Sequence, residues 1–550
     1  MQFVVFIIVL VALSIRNGVD ADIDLHPTVT LPSGLKVEGR HTVEGVAFKG
    51  LRYAAPPVGK FRWAPAQPVV DDVSKTYVAE KFKAICPQSE STCKQQKAGC
   101  SEDCLYLNIF AGKGAIDGAI KSGELLPVAI FVHGGSYKSG SSNLYPGGEL
   151  VKYWDGKGLM ITLNYRLNIF GFLGSEQLRS LDADGSTGNQ GIQDQRQAMK
   201  WVQENIKAFG GDPNNVMIFG ESAGAGSMTQ HLTMQKSFGF YNKVILESGA
   251  FSQWTMQPMK VAQSTFEQFV SFTTCSIDDV ACLQALTTDE VLTAYHTMPK
   301  SGVETGSVYE QWSPTNDGVE AVTHPWISAA AGGVNKVPIM LGTNRDEGSM
   351  FVDIPKNATL SELHDFWSLI GLDNSQIVTL NSLYIDDATY PEVKGVTNEW
   401  WAASRSLGDY AMSCDAKYVS QTISQVQNVF LYFFDHVTHY EDKRDDLITH
   451  GSELPFVLHF NTIFLHKSDK KMSDVMSTLW GNFLISSNPN TKEVGMNDLP
   501  QWPAYQSDKD EAFDLIDYDN LKLIANLKKQ ECDFFIPYID QQIRKDFPSA

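Results

Sequence analysis

A short apolar run, Val216-Met-Ile-Phe219, leads directly into Gly220-Glu-Ser222-Ala-Gly224. β-rich side chains predict a strand there, and glycine on both sides of the serine permits a turn too tight for a residue with a Cβ. The next residues, Ala225-Gly-Ser-Met-Thr-Gln-His-Leu-Thr-Met234, read as a helix whose N-terminus sits beneath Ser222. A strand, a sharp turn and a helix in that order expose a serine in a nucleophile elbow. The free N–H groups and positive end of the helix then face any oxyanion formed at the serine, an arrangement suited to acyl transfer.

A serine hydroxyl needs a histidine to take its proton and a carboxylate to orient that histidine. Doubly wound hydrolases place these along the chain as serine, acid, histidine, so both partners are sought after Ser222. His450 lies in the polar run Leu447-Ile-Thr-His-Gly-Ser-Glu-Leu-Pro-Phe456, shortly after the strand-like Val429 to Phe434, with His436 and His439 as competitors. The strand-like Val337 to Leu341 runs into Gly342-Thr-Asn-Arg-Asp-Glu347-Gly348, which puts a carboxylate at a strand's C-terminal end. Spacing alone leaves Asp346 and Glu347 as alternatives. A further loop, His133-Gly-Gly-Ser-Tyr137, follows the buried strand Leu126 to Val132 and is placed to supply more main-chain N–H groups to an oxyanion.

These strands, with Leu159 to Asn164 and Lys243 to Leu246, alternate with helical patterns such as Gln190 to Phe209. The alternation predicts an α/β fold with a mostly parallel sheet and helices on both faces. Thr28 to Val37 and Val43 to Phe48 read as antiparallel hairpins leading into that sheet. No linker-like stretch divides the chain, so residues 22–550 are expected to form a single domain, with the site on loops at the C-terminal strand ends.

Met1 to Leu13 is apolar and Val19-Asp-Ala21 suits cleavage, so residues 1–21 are expected to be a signal peptide. Eight cysteines in a chain on that route predict disulfides, and a secreted or vesicle-lumen location follows. Cys86, Cys93, Cys100 and Cys104 suggest a short cross-linked loop. Asn357-Ala-Thr359 is a glycosylation sequon. A formal net charge of −20 argues against nucleic acid as a partner. No later segment reads as a membrane span or lipid-anchor signal, and no metal or organic cofactor is called for.

On these residues together the chain resembles the type-B carboxylesterases, a family of α/β-hydrolase fold that includes cholinesterases and bile-salt-activated lipase. The resemblance rests on Phe48 to Gly59, Glu102 to Asn108, Asn164-Tyr-Arg166, Gly171-Phe-Leu173, Gly188 to Arg196 and the whole elbow from Phe209 to Gly224. It implies Ser222 as nucleophile, Glu347 as the acid, His450 as the base, and Gly135, Ser136 and Ala223 as oxyanion donors. It also implies disulfides Cys86–Cys104, Cys275–Cys282 and Cys414–Cys532, leaving Cys93 to pair with Cys100 inside the first loop. The expected substrates are neutral carboxylic esters, small molecules whose acyl-chain length the sequence leaves open. Two departures stand out. Ser136 replaces the family's usual third glycine, which predicts a stiffer or narrower loop. The loop from Cys86 to Cys104 has no aromatic residue to hold a choline cation, which argues against acetylcholine. Ser307 to Gly318 should border the acyl pocket. The same fold also serves in adhesion proteins, and an acidic, disulfide-bonded chain suits storage in vesicles, so a storage or adhesion protein is the alternative expectation.

Overall fold

The computed structural model describes residues 26–299, 311–438, 447–460 and 466–548. The expected leader over residues 1–21, the competitor His439 and residues 307–310 of the expected acyl-pocket segment lie outside these.

Among the described residues the strands are β1 (Thr28–Thr30), β2 (Lys36–Glu38), β3 (Arg40–His41), β4 (Gly45–Arg52), β5 (Tyr77–Val78), β6 (Tyr106–Gly112), β7 (Leu126–Val132) and β8 (Leu159–Leu163). They continue with β9 (Gly211–Glu221), β10 (Lys243–Glu247), β11 (Gln257–Pro258), β12 (Thr315–Asn316), β13 (Ile339–Asn344), β14 (Val429–Phe434), β15 (Glu511–Leu515) and β16 (Lys522–Ala525). An 11-stranded sheet has the order β16-β15-β14-β13-β10-β9-β7-β8-β6-β4-β3. From β15 to β8 the neighbours are parallel, whereas β16 at one edge and β6, β4 and β3 at the other are antiparallel.

Period-two side-chain alternation explains why helices cover both faces. On β7, Val128, Ile130 and Val132 join one buried cluster, while Ala129 and Phe131 join the other. On β9, Ile218 faces with the first set and Met217 and Phe219 with the second. A strand apolar on both sides is stable only when both sides are covered.

The elbow strand is longer than the apolar run Val216 to Phe219, because Gly211 also pairs, opposite Leu126. The helix expected from Gln190 to Phe209 is α-helical to Asn205 and closes as a 3₁₀ turn from Ile206 to Phe209, ended by Gly210 in the left-handed region. One expectation is corrected. The hairpin of β1 and β2 does not lead into the large sheet but joins β5 in a separate three-stranded sheet. The physical reason is supply of apolar surface, since β1 and β2 bury only Val29 and Val37. Neither can present the two apolar faces that the covered sheet demands. The second hairpin, β3 and β4, does join the large sheet.

Four disulfides are present, Cys86–Cys104, Cys93–Cys100, Cys275–Cys282 and Cys414–Cys532. A buried ion pair fixes the end of β8 to the helix Gln190–Asn205. Arg166 donates from its Nε and Nη2 to the two oxygens of Asp194 at 2.8 and 2.7 Å, and the Arg166 N–H also donates to Asp194 at 3.0 Å. Removing the carboxylate strands a guanidinium in the interior. Asp194→Ala is therefore expected to lose about 3–5 kcal/mol of stability, measured by urea unfolding, and a loss below about 1 kcal/mol would contradict the assignment.

Candidate active site

The C-terminal ends of neighbouring strands assemble the site. Ser222 stands between β9 and the helix Ala223–Thr233 at φ 58 and ψ −124, a conformation costly for a residue with a side chain. Its N–H donates to Glu247 O at 2.9 Å, and its carbonyl accepts from Gly226 N at 2.9 Å, so both sides of the turn are tied. Gly224 is required by close approach, because a Cβ there would collide with the carbonyl of Val132 on β7.

Glu347 follows β13 and opens a 3₁₀ turn through Met350. One oxygen accepts from Ser248 Oγ at 2.5 Å and from Asn344 N at 2.7 Å, and the other faces His450 Nδ1 at 2.6 Å. Asp346 is engaged elsewhere, with Arg345, Arg405 and the N–H of Ile448. The alternative that spacing left open is thus resolved in geometry: the carboxylate on His450 is that of Glu347. The competitor His436 is buried against Asp469 and Ile516 O.

The other imidazole nitrogen meets an unforeseen neighbour. His450 Nε2 lies 3.1 Å from Glu221 Oε1, close enough for charge pairing but off the hydrogen-bond axis. Among the described residues no hydrogen bond joins Ser222 Oγ to His450. Burial pulls the imidazole pKa down, but Glu221 and Glu347 outweigh it and hold it up at about 9. Burial also pushes the carboxyls of Glu221, Glu247 and Glu453 up, each reinforced by the others or by Glu347. Glu453 accepts from Asn344 Nδ2 at 2.5 Å, and Glu247 accepts from Trp480 Nε1 at 2.7 Å. One oxygen on each of Glu221, Glu247 and Glu453 has no hydrogen-bond donor among the described residues. The signals for these residues were in plain view: Glu221 is the second residue of the glycine-serine pentapeptide, and Glu453 follows His450 by three.

Gly134 packs against the elbow so tightly that a Cβ would stand 2.7 Å from Glu221 O and 2.8 Å from Ser222 Cβ. The loop continues through Gly135, Ser136 and Tyr137, all at positive φ. Among the described residues the N–H groups of Gly135 and Ser136 have no main-chain acceptor, and Ala223 begins a helix, where N–H groups lack partners. His133 is a structural residue. Burial pulls its pKa down to about 4, and its Nδ1 sits 2.8 Å from Gly134 O, the donor in a neutral ring. Its ring also stacks on Tyr165.

Outside this site, His26, Glu38 and Glu80 converge within 4.8 Å, the one such potential metal-ligand group among the described residues, and His26 is exposed. No described helix is long and apolar enough to cross a membrane.

A family model described as the carboxylesterase family matches residues 26–535. Para-nitrobenzyl esterase of Bacillus subtilis (strain 168) is 31% identical over 503 residues, covering 88% of this chain and 93% of its own. Crystal protein of Dictyostelium discoideum is 29% identical over 476 residues, covering 82% of this chain and 81% of its own. A solved structure of a PNB esterase, 29% identical, matches with a TM-score of 0.77 over 93% of this chain and 100% of the other.

The imidazole's raised pKa has a defined sign. A group whose folded pKa exceeds its unfolded value of 6.5 stabilises the fold fully below that value and loses the contribution as pH rises through about 9. Histidine NMR of the resting protein is expected to show His450 titrating near pH 9 and at a lower pH in Glu221→Gln. An unshifted midpoint in the variant would remove Glu221 as the cause.

Proposed function

The chain belongs to the carboxylesterase family and has the α/β-hydrolase fold, and from that premise we propose that it is a serine esterase hydrolysing neutral carboxylic esters through an acyl-enzyme on Ser222. The observation that carries the reading is the bond of Glu347 to His450 Nδ1 beside a serine in a strained elbow. Ser222 Oγ attacks the ester carbonyl while neutral His450 takes its proton at Nε2. The tetrahedral oxyanion receives the N–H groups of Gly135, Ser136 and Ala223. Collapse expels the alcohol, which takes the proton from His450. Water then attacks the acyl carbon as His450 takes its proton, and collapse breaks the bond to Ser222 Oγ, which takes that proton back from His450 as the acid leaves.

The resting arrangement adds a condition. The imidazole must shed its proton and turn Nε2 from Glu221 toward Ser222 before it can serve as a base, so turnover is favoured on the alkaline side of neutrality. Residues 22–550 act as one catalytic domain in this reading. The four disulfides support passage through the secretory route to a vesicle lumen or the cell exterior. Asn357 lies in an exposed turn just before the helix Leu360–Leu369, accessible to glycan attachment. Protein from a eukaryotic secretory host is expected to lose mass on treatment with an N-glycosidase and to lack that shift in Asn357→Gln.

A second reading, an esterase-like storage protein with weak or no catalysis, is favoured by the likeness to the Dictyostelium crystal protein. A fluorophosphonate probe separates the two. The esterase reading expects a covalent adduct on Ser222 and a loss of about 10⁴-fold or more in turnover of p-nitrophenyl esters for Ser222→Ala. An unlabelled serine and an inactive parent would decide for storage, whereas a variant that keeps most of the activity would remove Ser222 as the nucleophile.

A further inference from the structure

The loop that carries the oxyanion donors is gripped from outside by the loop closed through Cys86 and Cys104. Gln88, buried at 2% exposure, stands two residues after Cys86. Its Nε2 donates to Gly140 O at 2.9 Å, and its Oε1 accepts from Gly140 N at 3.0 Å. One side-chain amide thus satisfies both main-chain groups of Gly140. The same Nε2 also donates to Cys86 O at 3.1 Å, which fixes the amide on its own loop. Asn168 makes a parallel link, with Nδ2 donating to Pro87 O at 2.7 Å and to Lys138 O at 3.3 Å, and its N–H donating to Tyr137 O at 2.7 Å.

Gly140 is not a remote anchor. It lies at φ 114, where a Cβ would collide with His133 Nδ1, and that ring holds Gly134 O. Within the loop, Gly135 O accepts from Lys138 N at 2.9 Å and from Ser139 N at 3.0 Å. Residues 133–140 therefore form one closed turn whose far end is Gly140. Ser136 and Tyr137 sit at φ 52 and 56 in that turn. Two consecutive residues with side chains persist in the left-handed region only where their surroundings over-determine it. Gln88 and Asn168 supply that constraint. The inner disulfide, Cys93–Cys100, closes a tight ring five residues beyond Gln88 inside the Cys86–Cys104 loop, and Cys93 Sγ lies 3.8 Å from Gln88 O.

We propose that Gln88 is a positioning residue for ester hydrolysis: by clasping Gly140 from the disulfide-closed loop, it holds the Gly135 and Ser136 N–H groups where the oxyanion forms. This rests on the esterase reading above. It assigns a task to the nested pair of disulfides, which is to keep the clasp rigid.

Gln88→Met preserves length and bulk but cannot make the two bonds to Gly140. With p-nitrophenyl butyrate, kcat is expected to fall by about 10- to 100-fold, the scale of a one-ångström misplacement, with KM changed less than about twofold. Affinity for a trifluoromethyl ketone, which mimics the tetrahedral intermediate, should weaken by the same factor as kcat/KM, while the thermal midpoint stays within a few degrees of the parent. Should Gln88→Met fail to fold, Cys93→Ser/Cys100→Ser, with Cys86–Cys104 intact, is expected to lower kcat several-fold with the same ketone signature. A parent enzyme that is active beside an unaffected variant overturns this inference alone. So does a variant that loses kcat, KM and thermal stability together without the matching loss of ketone affinity, since that is the mark of a merely structural residue. A parent inactive on esters and unlabelled at Ser222 sinks the esterase reading and the inference with it.

Discussion

Val132 stands opposite Gly220 in the parallel pair of β7 and β9, and its carbonyl occupies the space that a side chain on Gly224 would need. Much of the site follows from that contact. Parallel neighbours end at the same edge of the sheet, so the turn after β9 and the loop after β7 emerge side by side. Gly134 then rests directly on Glu221 and Ser222. The next parallel neighbours, β10 and β13, deliver Ser248 and Glu347 to the same edge, and β14 precedes the segment bearing His450. A substitution that pushed β7 from β9 would separate Ser222 and the proposed oxyanion donors at once.

Charge is the second organising constraint. Several buried carboxyls surround one imidazole, and they differ in what satisfies them. Glu347 has donors from Ser248 and Asn344 besides His450. Glu221 has only the charge of His450 to offset its own, and burial together with Glu347 favours its neutral form. The cluster therefore stabilises a cationic imidazole, which in the proposed mechanism would help the transition state, in which His450 holds a proton, and hinder the ground state, in which it must be a base. Glu221 sharpens the conflict because it sits on the nitrogen that the proposed mechanism assigns to Ser222. The balance is electrostatic, and so depends on pH more than on packing.

Much of this was legible from residue order. The elbow, the loop at Gly134 and the strand ends are local signals, since glycine spacing and apolar runs act over a few residues. Val429–Phe434 and Leu126–Val132 lie where the apolar pattern puts them. The choice of Glu347 over Asp346 was illegible to spacing because it depends on Arg345 and Arg405, which draw Asp346 away, and Arg405 is 59 residues distant. Glu221 was visible as a residue but its role was not, because its contact with His450 spans two loops brought together only by folding. The first hairpin misled for a related reason: antiparallel pairing is local, but which sheet it joins depends on how much apolar surface it can bury.

The strained positions tie these strands of argument together. Ser136, Tyr137, Asn168 and Ser222 all hold left-handed backbone conformations within one neighbourhood. Ser222 is secured by the sheet itself, through Glu247 O and the first turn of the helix Ala223–Thr233. Ser136 and Tyr137 have no strand beneath them and depend on Gln88, Asn168 and the disulfide-closed loop. The proposed nucleophile thus rests on the central sheet, and the proposed oxyanion donors rest on a loop tied to a disulfide-closed segment. A glycine at position 136 would relieve strain but also free the loop. With serine there, the conformation must be imposed from outside, and the buried amide of Gln88 is placed to impose it.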